Sequence, residues 1–146
     1  MKEVVRAIIV NENGQVLMGE RVRGLDIGGY SLLGGKADIG ELLPDAIERE
    51  IGEELPGVKF TPIKEAAVME YSIDPDDKCN VTYYFGTVNN KPTLDMPVKT
   101  DEIGGLIFVG PEDIDNEGIP FAFDHRDRLR DFFNSPLYSQ IKDYNK

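Results

Sequence analysis

The chain has 146 residues, of which 40% are hydrophobic and 29% charged, and its formal net charge at pH 7 is −11. That length and composition predict one domain over residues 1–146, with a sizeable hydrophobic core. The negative charge argues against nucleic acids and anionic membrane surfaces as partners, because both bind basic protein surfaces. A polyphosphate stays compatible with an acidic protein, provided that a metal ion mediates the contact.

The single cysteine, Cys79, excludes an internal disulfide and a cysteine-based zinc site. No apolar run approaches the roughly 18 residues that span a membrane. The N-terminus lacks the apolar core and the cleavage site of a signal peptide. The expected location is therefore the cytoplasm.

The residue pattern in the first third of the chain predicts strands joined by turns. Val4 to Val10 is an apolar, β-branched run that is typical of a buried strand. Asn13-Gly14 is a strong turn signal, so Gln15 to Gly19 is expected to return as the second strand of a hairpin. A short strand, Tyr30 to Leu33, then leads into Gly34-Gly35.

A central helix is predicted between Pro44 and Pro56-Gly57. Proline suits the first helical turn, where its missing N–H costs nothing, and a Pro-Gly pair ends a helix. At about 100° per residue, Ile47, Ile51 and Leu55 fall on one stripe, which predicts the buried side of this helix.

Glu50, Glu53 and Glu54 fall on a neighbouring stripe, and residues three or four apart on a helix are neighbours, so the carboxylates converge. Each close pair repels by about 1 kcal/mol in water and about 4 kcal/mol at an effective dielectric near 20. A divalent cation bound between the carboxylates would replace this repulsion by attraction. Carboxylate oxygens suit Mg²⁺, which also binds phosphate oxygens. The alternative, a solvated acidic face, is the commoner explanation for three glutamates on any helix.

Three basic residues flank the acidic helix in the sequence: Arg21, Arg23 and Lys36. They are candidates to bind the phosphates of a substrate through charge-assisted hydrogen bonds. The alternative for each of them is a solvated charge in a loop.

Beyond the helix, Lys59 to Tyr71 holds an apolar stretch to which the pattern assigns no element. Asp74-Pro75-Asp76-Asp77 is a turn by composition. Val81 to Val88 alternates cleanly between its two faces and predicts a strand. Asn89 to Lys99 holds two prolines and few apolar residues, so it is expected to be a loop.

The C-terminal part predicts a strand at Leu106 to Val109, one helical turn at Pro111 to Ile114, and a helix from the N-cap Asp124 through about Phe133. His125 lies in the first turn of that helix, where a local hydrogen bond is a commoner role than catalysis. Residues 134–146 are mostly polar and are expected to form a loosely docked tail.

The residues around the acidic stripe resemble the Nudix hydrolase family, whose box is G-x5-E-x7-R-E-U-x-E-E-x-G-U with U aliphatic. The matching positions are Gly35, Glu41, Arg49, Glu50, Ile51, Glu53 and Glu54. The end departs by one residue, because Leu55-Pro56 stands where the family has one residue before Gly57-Val58. The resemblance extends through about residue 134, and it implies an α/β/α sandwich with a mixed β-sheet, which the order of predicted strands and helices also indicates.

The resemblance implies a hydrolase that cleaves the diphosphate of a nucleoside diphosphate linked to another group, with Mg²⁺, or alternatively Mn²⁺, as the cofactor. Glu50, Glu53 and Glu54 are then the metal ligands, and Arg49 orients a neighbouring glutamate. Family members take their general base either from the box or from a later loop, so Glu53 is the first candidate here and Glu102 the second. Ordinary loop charge is the alternative for Glu102.

Two segments resemble the ADP-ribose pyrophosphatase-like group of the family: Glu70 to Val88, with its Asp-Pro turn, and Phe121-Ala122-Phe123-Asp124-His125. Against this, Asp76-Asp77 stand where that group usually has Arg-Gly, and these carboxylates would repel a phosphate. The alternatives are a nucleoside triphosphate pyrophosphatase and a non-catalytic nucleotide sensor. Sensors usually have a decayed box, whereas the glutamates are present here. Nudix proteins of this size often form homodimers, so a second copy is a candidate partner.

Overall fold

A computed structural model of the protein describes residues 1–72 and 76–144. None of its helices is long and apolar enough to cross a membrane within that described part. In chain order the elements are β1 (Lys2–Ile9), β2 (Val16–Arg21), β3 (Tyr30–Lys36), α1 (Leu43–Glu54), β4 (Phe60–Ser72), β5 (Lys78–Val88), β6 (Ile103–Val109), a 3-10 turn (Pro111–Asp113), α2 (His125–Phe133) and α3 (Pro136–Tyr144).

The strands form a mixed six-stranded sheet in the order β4-β5-β1-β3-β2-β6. β1 and β5 are parallel, and every other neighbouring pair is antiparallel. The predicted α/β class and mixed sheet are therefore confirmed. The chain divides into two compact units, and the boundary falls within β3. The first unit comprises Met1–Ile9 and Leu33–Lys91, and the second comprises Val10–Leu32 and Pro92–Lys146.

The first unit is built around α1, which contacts β1 and β4. Ile47, Ile51 and Leu55 are each 0% exposed, which confirms the buried stripe predicted from their spacing. Pro44 lies in the first turn of the helix. Beyond the helix end, Gly57 has a φ of 85°, which is the left-handed conformation that glycine adopts without strain. Burial of the apolar stripe thus fixes which way the acidic side of α1 can face.

β4 is the element that the sequence pattern left unassigned. It runs for 13 residues at one edge of the sheet and pairs with β5. Its register shifts between Pro62 and Lys64 and again between Glu65 and Ala67. Each shift breaks the two-residue alternation by which a strand is recognised in a sequence. The turn predicted at Asp74-Pro75-Asp76-Asp77 lies in part outside the described residues.

The predicted hairpin of the first two strands is wrong. β1 pairs with β3 and β5, whereas β2 pairs with β3 and β6. The turn at Asn13-Gly14 is closed by an isolated antiparallel bridge between Val10 and Val16 and by a hydrogen bond from the N–H of Asn11 to the carbonyl oxygen of Gln15 at 2.9 Å. β3 lies between the two strands in the sheet order, so the ladder positions that a hairpin needs are already filled.

In the second unit, α2 and α3 contact each other. α2 matches the predicted final helix, with Leu129 and Phe132 buried. The loosely docked tail that was expected over 134–146 is replaced by α3 as far as the structure describes it. The ring of Tyr138, on α3, is 5.4 Å from that of Phe132, and its hydroxyl donates to the carbonyl oxygen of Gly14 at 2.8 Å. This mostly polar segment therefore contains a helix, which the contacts of Tyr138 hold in place.

Gly34 has a φ of 148° and lies where β3 approaches β1 closely. A Cβ there would meet the carbonyl oxygen of Val5 and, at 2.9 Å, the Cα of Arg6. Both obstacles are backbone atoms, which cannot rotate away. Gly40 has a φ of 81°, but a Cβ at that position would have no other atom within 4 Å. A side chain at Gly40 would therefore strain the backbone without a steric clash.

We expect Gly34→Ala to lower the free energy of unfolding by about 3 kcal/mol or more, because backbone strain and a steric clash add. Gly40→Ala is the matched control and should cost about 1 kcal/mol from strain alone. Urea unfolding of both variants measures the two effects. Equal losses would contradict the close approach of β3 to β1.

Candidate active site

Arg49, on α1, is the centre of a charged network in the first unit. Its Nε donates to Oε2 of Glu41 at 2.9 Å, and one of its terminal nitrogens donates to Oε1 of the same carboxylate at 3.0 Å. The other terminal nitrogen donates to Glu50 at 3.1 Å and to Glu53 at 3.2 Å. The guanidinium also donates to the carbonyl oxygen of Lys36 at 3.1 Å. The contact with Glu53 is the one that an orienting role for Arg49 requires.

This network sets the ionisation of its members. Hydrogen bonding from Arg49, together with the backbone N–H of Asp38, lowers the pKa of Glu41 from 4.5 to about 2. The same hydrogen bond with Glu41, followed by the one with Glu53, raises the pKa of Arg49 above its ordinary value. The Arg49–Glu41 hydrogen bond is the largest favourable cause of both shifts, and its bidentate geometry is the strong form of an arginine–carboxylate contact.

Glu50 lies against the backbone of β3 because Gly35 has no side chain. A Cβ at Gly35 would come within 2.6 Å of the carboxyl carbon of Glu50. The side chain of Glu50 is 13% exposed. Any other residue at position 35 would therefore displace this carboxylate, which explains on physical grounds why a glycine suits this place in the box.

Glu54 is the last residue of α1 and is only 6% exposed. Its carboxylate accepts a hydrogen bond from the backbone N–H of Gly34 at 2.9 Å. Burying a carboxylate is costly unless hydrogen bonds or a cation compensate. The cost of burying the Glu54 carboxylate is increased by its position, because the C-terminal end of a helix carries a partial negative charge and the last turn of α1 holds no basic residue.

The donors of this end of α1 fit a hard divalent cation in their chemistry, since they are carboxylate oxygens. As they stand, however, no three His, Cys, Asp or Glu side chains within residues 1–72 and 76–144 form a group that could hold a metal ion. The reason is visible in the contacts: Arg49 holds Glu50 and Glu53, whereas Glu54 binds Gly34. Arg49 thus bridges Glu50 and Glu53, which are two of the three carboxylates that the spacing brings to one side of α1.

Lys36, the last residue of β3, is exposed and lines an open cleft of about 600 Å³ in the first unit. Lys2 and Lys78 also line this cleft, as does the carboxylate of Glu41 that binds Arg49. The size is within the range of small-molecule sites, which is roughly 300–1,000 Å³. Three lysines therefore line this cleft together with five carboxylates, those of Glu3, Asp38, Glu41, Asp76 and Asp77.

The remaining predicted residues lie in the second unit, and two of them are paired with each other. The guanidinium of Arg23 donates to Glu102, whose carboxylate also binds Lys99 at 3.2 Å. Hydrogen bonding to Glu102 raises the pKa of Lys99. Arg21 has a different partner, since its guanidinium carbon lies 4.6 Å from the ring centre of Phe123. The structure thus places Arg21, Arg23 and Glu102 in one unit and the box residues in the other.

His125 is 2% exposed, and its Nδ1 accepts the backbone N–H of Leu32 at 3.0 Å. His125 therefore has a hydrogen-bonding role as expected, but its partner lies 93 residues away in the sequence and is not local. The N-cap position of α2 is occupied by Asp124 as predicted, although its side chain makes no cap hydrogen bond.

A family model described as the NUDIX domain matches residues 2–132. The chain belongs to the Nudix family. The structure of a MutT NUDIX hydrolase from Burkholderia pseudomallei is similar, with a TM-score of 0.74 and 25% sequence identity over 88% of this chain and 95% of that one. No curated protein sequence matches significantly.

Two further solved structures share the fold. A MutT protein from Methanosarcina mazei Go1 has a TM-score of 0.70 and 23% identity over 99% of this chain and 95% of that one. A UDP-X diphosphatase has a TM-score of 0.70 and 17% identity over 99% of this chain and 64% of that one. As a member of the family, the chain is a pyrophosphohydrolase. Nudix enzymes act on small-molecule nucleotide substrates and generally use divalent metal ions.

Glu41 is the residue whose role sequence reasoning missed. Its place in the Nudix box was noted, but nothing in its spacing from Arg49 predicted a bidentate pair, because the two are separated by a loop and the first turns of α1. The available signal was the arginine itself, since a guanidinium among carboxylates needs a partner that fixes its plane.

We expect Glu41→Gln to destabilise the protein at neutral pH and to do so less as the pH falls. Because the folded pKa of Glu41 is lowered to about 2, its stabilising effect is complete above its ordinary value of 4.5 and is lost between 4.5 and 2. Urea unfolding of wild type and variant at pH 7 and pH 3 measures the difference.

Glu48→Gln removes the same charge from an exposed position of α1 and controls for the change in net charge. A loss of stability for Glu41→Gln that is equal at both pH values would contradict the charged Arg49–Glu41 pair.

Proposed function

We propose that the protein hydrolyses, in a Mg²⁺-dependent reaction, the diphosphate bond of a nucleoside diphosphate linked to another group. The observation that carries this proposal is the arrangement at the end of α1, where Arg49 holds Glu50 and Glu53 and where Glu54 is buried at the negative end of the helix. Carboxylates kept together at such a place are compensated best by a divalent cation.

Glu50, Glu53 and Glu54 are the proposed ligands of that cation, with Mg²⁺ as the first choice and Mn²⁺ as the alternative. Their oxygens fit either ion. When bound, the ion supplies Lewis-acid stabilisation of the phosphate oxygens and an activated water. The protein's own part is to hold the carboxylates through Arg49, Gly34 and the space left at Gly35.

Glu53 is the proposed general base. Its side chain is 49% exposed, more than that of Glu50, so water and substrate can reach it. Its contact with Arg49 fixes the direction of the carboxylate. Glu102 stays the second candidate, although its two contacts with Arg23 and Lys99 also suit a structural role in the second unit.

Phosphate contacts are proposed for Lys36, Arg21 and Arg23. Lys36 has the strongest support, because it is exposed at the cleft in the first unit. The cation of Arg23 already binds Glu102, and that of Arg21 lies over an aromatic ring. A phosphate would therefore have to compete with existing partners at both arginines.

ADP-ribose-like substrates are the favoured class. The support is the resemblance of Glu70 to Val88 and of Phe121 to His125 to that group, and the second segment is anchored by the bond between Leu32 and His125. A nucleoside triphosphate pyrophosphatase is the alternative. A nucleotide sensor without turnover is disfavoured, since the box glutamates are present. A homodimer and a cytoplasmic location stay predictions.

A nucleotide panel with Mg²⁺, with and without chelator, tests the proposal. It should include ADP-ribose, nucleotide sugars, dinucleoside polyphosphates, and canonical and oxidised nucleoside triphosphates, with products separated by chromatography. We expect AMP and ribose phosphate from ADP-ribose, and no turnover with chelator. Pyrophosphate with a nucleoside monophosphate would instead support the triphosphate alternative. Turnover that survives chelation would contradict the metal-dependent reaction.

A further inference from the structure

The cleft of about 600 Å³ in the first unit is formed by three segments that are distant in the sequence. They are the start of β1 with Met1, the end of β3 with the loop that leads to α1, and the start of β5 with the two residues before it. Glu50, Glu53 and Glu54 do not line it. The cleft therefore lies beside the proposed metal ligands without including them.

Backbone hydrogen bonds of the sheet fix two walls of this cleft. Lys2 pairs with Cys79 in the parallel ladder between β1 and β5. The N–H of Ala37 donates to the carbonyl oxygen of Glu3 at 2.9 Å, which joins the end of β3 to β1. The lining side chains therefore start from fixed backbone positions, and a ligand that binds there has little main chain to order.

The third wall is the loop before α1, and Glu41 holds it. The N–H of Asp38 donates to Oε1 of Glu41 at 2.9 Å, and the N–H of Glu41 donates to the carbonyl oxygen of Asp38 at 3.0 Å. The same Glu41 carboxylate binds Arg49, whose guanidinium also reaches Glu53. One guanidinium thus lies between the wall of the cleft and the proposed general base, and all of these residues belong to the first unit.

The charged groups of the cleft are of both signs, and several of them are already paired. The ammonium of Lys2 donates to the Asp77 carboxylate at 2.8 Å, and the side-chain amide of Asn80 donates to Glu3 at 3.2 Å. A carboxylate offers about four lone-pair sites and an ammonium three donors, so both members of such a pair can bind further groups. The side chain of Asp38 is 75% exposed, so a ligand can reach it.

This lining favours an uncharged group that carries several hydroxyls. A second phosphate inside the cleft would face the five carboxylates, and a cationic group would face the three ammonium groups. A hydroxyl donates to a carboxylate and accepts from an ammonium, so it uses both kinds of lining group. Met1, Ile39 and Leu43 also line the cleft and offer apolar surface to the C–H groups of a sugar ring.

We propose that this cleft binds a sugar, which is the group linked to the nucleoside diphosphate at its far end. The inference rests on the proposed function and names the substrate class as nucleoside diphosphate sugars, which include ADP-ribose and exclude nucleoside triphosphates. Lys2, Asp38 and Asp77 are assigned to the hydroxyls. Lys36, whose carbonyl oxygen binds Arg49 at 3.1 Å, keeps its contact with a phosphate at the border of the cleft.

Binding of sugar phosphates without turnover tests this site. Isothermal titration in the presence of Mg²⁺ compares ribose 5-phosphate and glucose 1-phosphate with butyl phosphate, whose chain carries no hydroxyl. We expect at least one sugar phosphate to bind about tenfold more tightly than butyl phosphate, because about two net hydrogen bonds to hydroxyls provide that difference.

Two variants remove lining groups of the cleft. Asp38→Ala removes one exposed carboxylate, and Lys2→Met combined with Asp77→Asn removes an ion pair without leaving an unpaired charge. Each should weaken the sugar phosphate about tenfold, leave butyl phosphate unchanged and keep the thermal melt cooperative. Lys36→Met should weaken both kinds of ligand equally. Glu48→Ala, which removes a carboxylate from the exposed side of α1 outside the cleft, is the matched control.

If one of the two cleft variants fails to fold, the other decides the matter. Two results would overturn the inference: butyl phosphate could bind as tightly as both sugar phosphates, or the folded cleft variants could keep the wild-type preference for a sugar phosphate. Both results are compatible with hydrolysis of a diphosphate substrate in the panel above, so they would leave the proposed function intact. Conversely, a sugar preference that depends on Asp38, in a protein without any turnover, would refute the proposed function and leave this site standing.

Discussion

The guanidinium of Arg49 is the interaction on which the candidate site depends. It binds both oxygens of Glu41, and it reaches Glu50, Glu53 and the backbone of Lys36. Without it, adjacent carboxylates on one side of α1 would repel by about 1 kcal/mol per pair or more. With it, they are kept in place on a helix whose other side is locked by burial. Arg49 therefore turns an unfavourable charge pattern into a defined arrangement of acidic groups.

Periodicity predicted the parts of the structure that local patterns determine. The apolar stripe of α1 and the acidic stripe beside it follow from helical geometry, and β5 follows from its alternation. The path of β4 was missed because its two register shifts interrupt that alternation. The hairpin expected at Asn13-Gly14 failed because a turn signal cannot show which strand will pair with β1. That choice depends on Leu33–Lys36, far along the chain.

Contacts between distant residues were also beyond the reach of the sequence. Arg23 and Glu102 were singled out separately, as a phosphate contact and as a base, and the structure pairs them. Arg21 was grouped with Arg23 by charge alone, yet it lies over Phe123, whose strained backbone no composition predicts. Arg21, at the end of β2, and Arg23, in the loop after it, thus have different partners although they share a charge. The Nudix box, by contrast, could be recognised because its residues are continuous in the sequence, from the end of β3 through the following loop to α1.

The most direct test of this account is the binding of Mn²⁺ to the protein without substrate, measured by electron paramagnetic resonance. Wild type should bind the ion, Glu54→Gln should bind it at least about tenfold more weakly, since one buried ligand is lost, and Glu48→Gln on the exposed side of α1 should match wild type. Equal binding by wild type and Glu54→Gln would contradict the claim that the carboxylates at the end of α1 hold the metal.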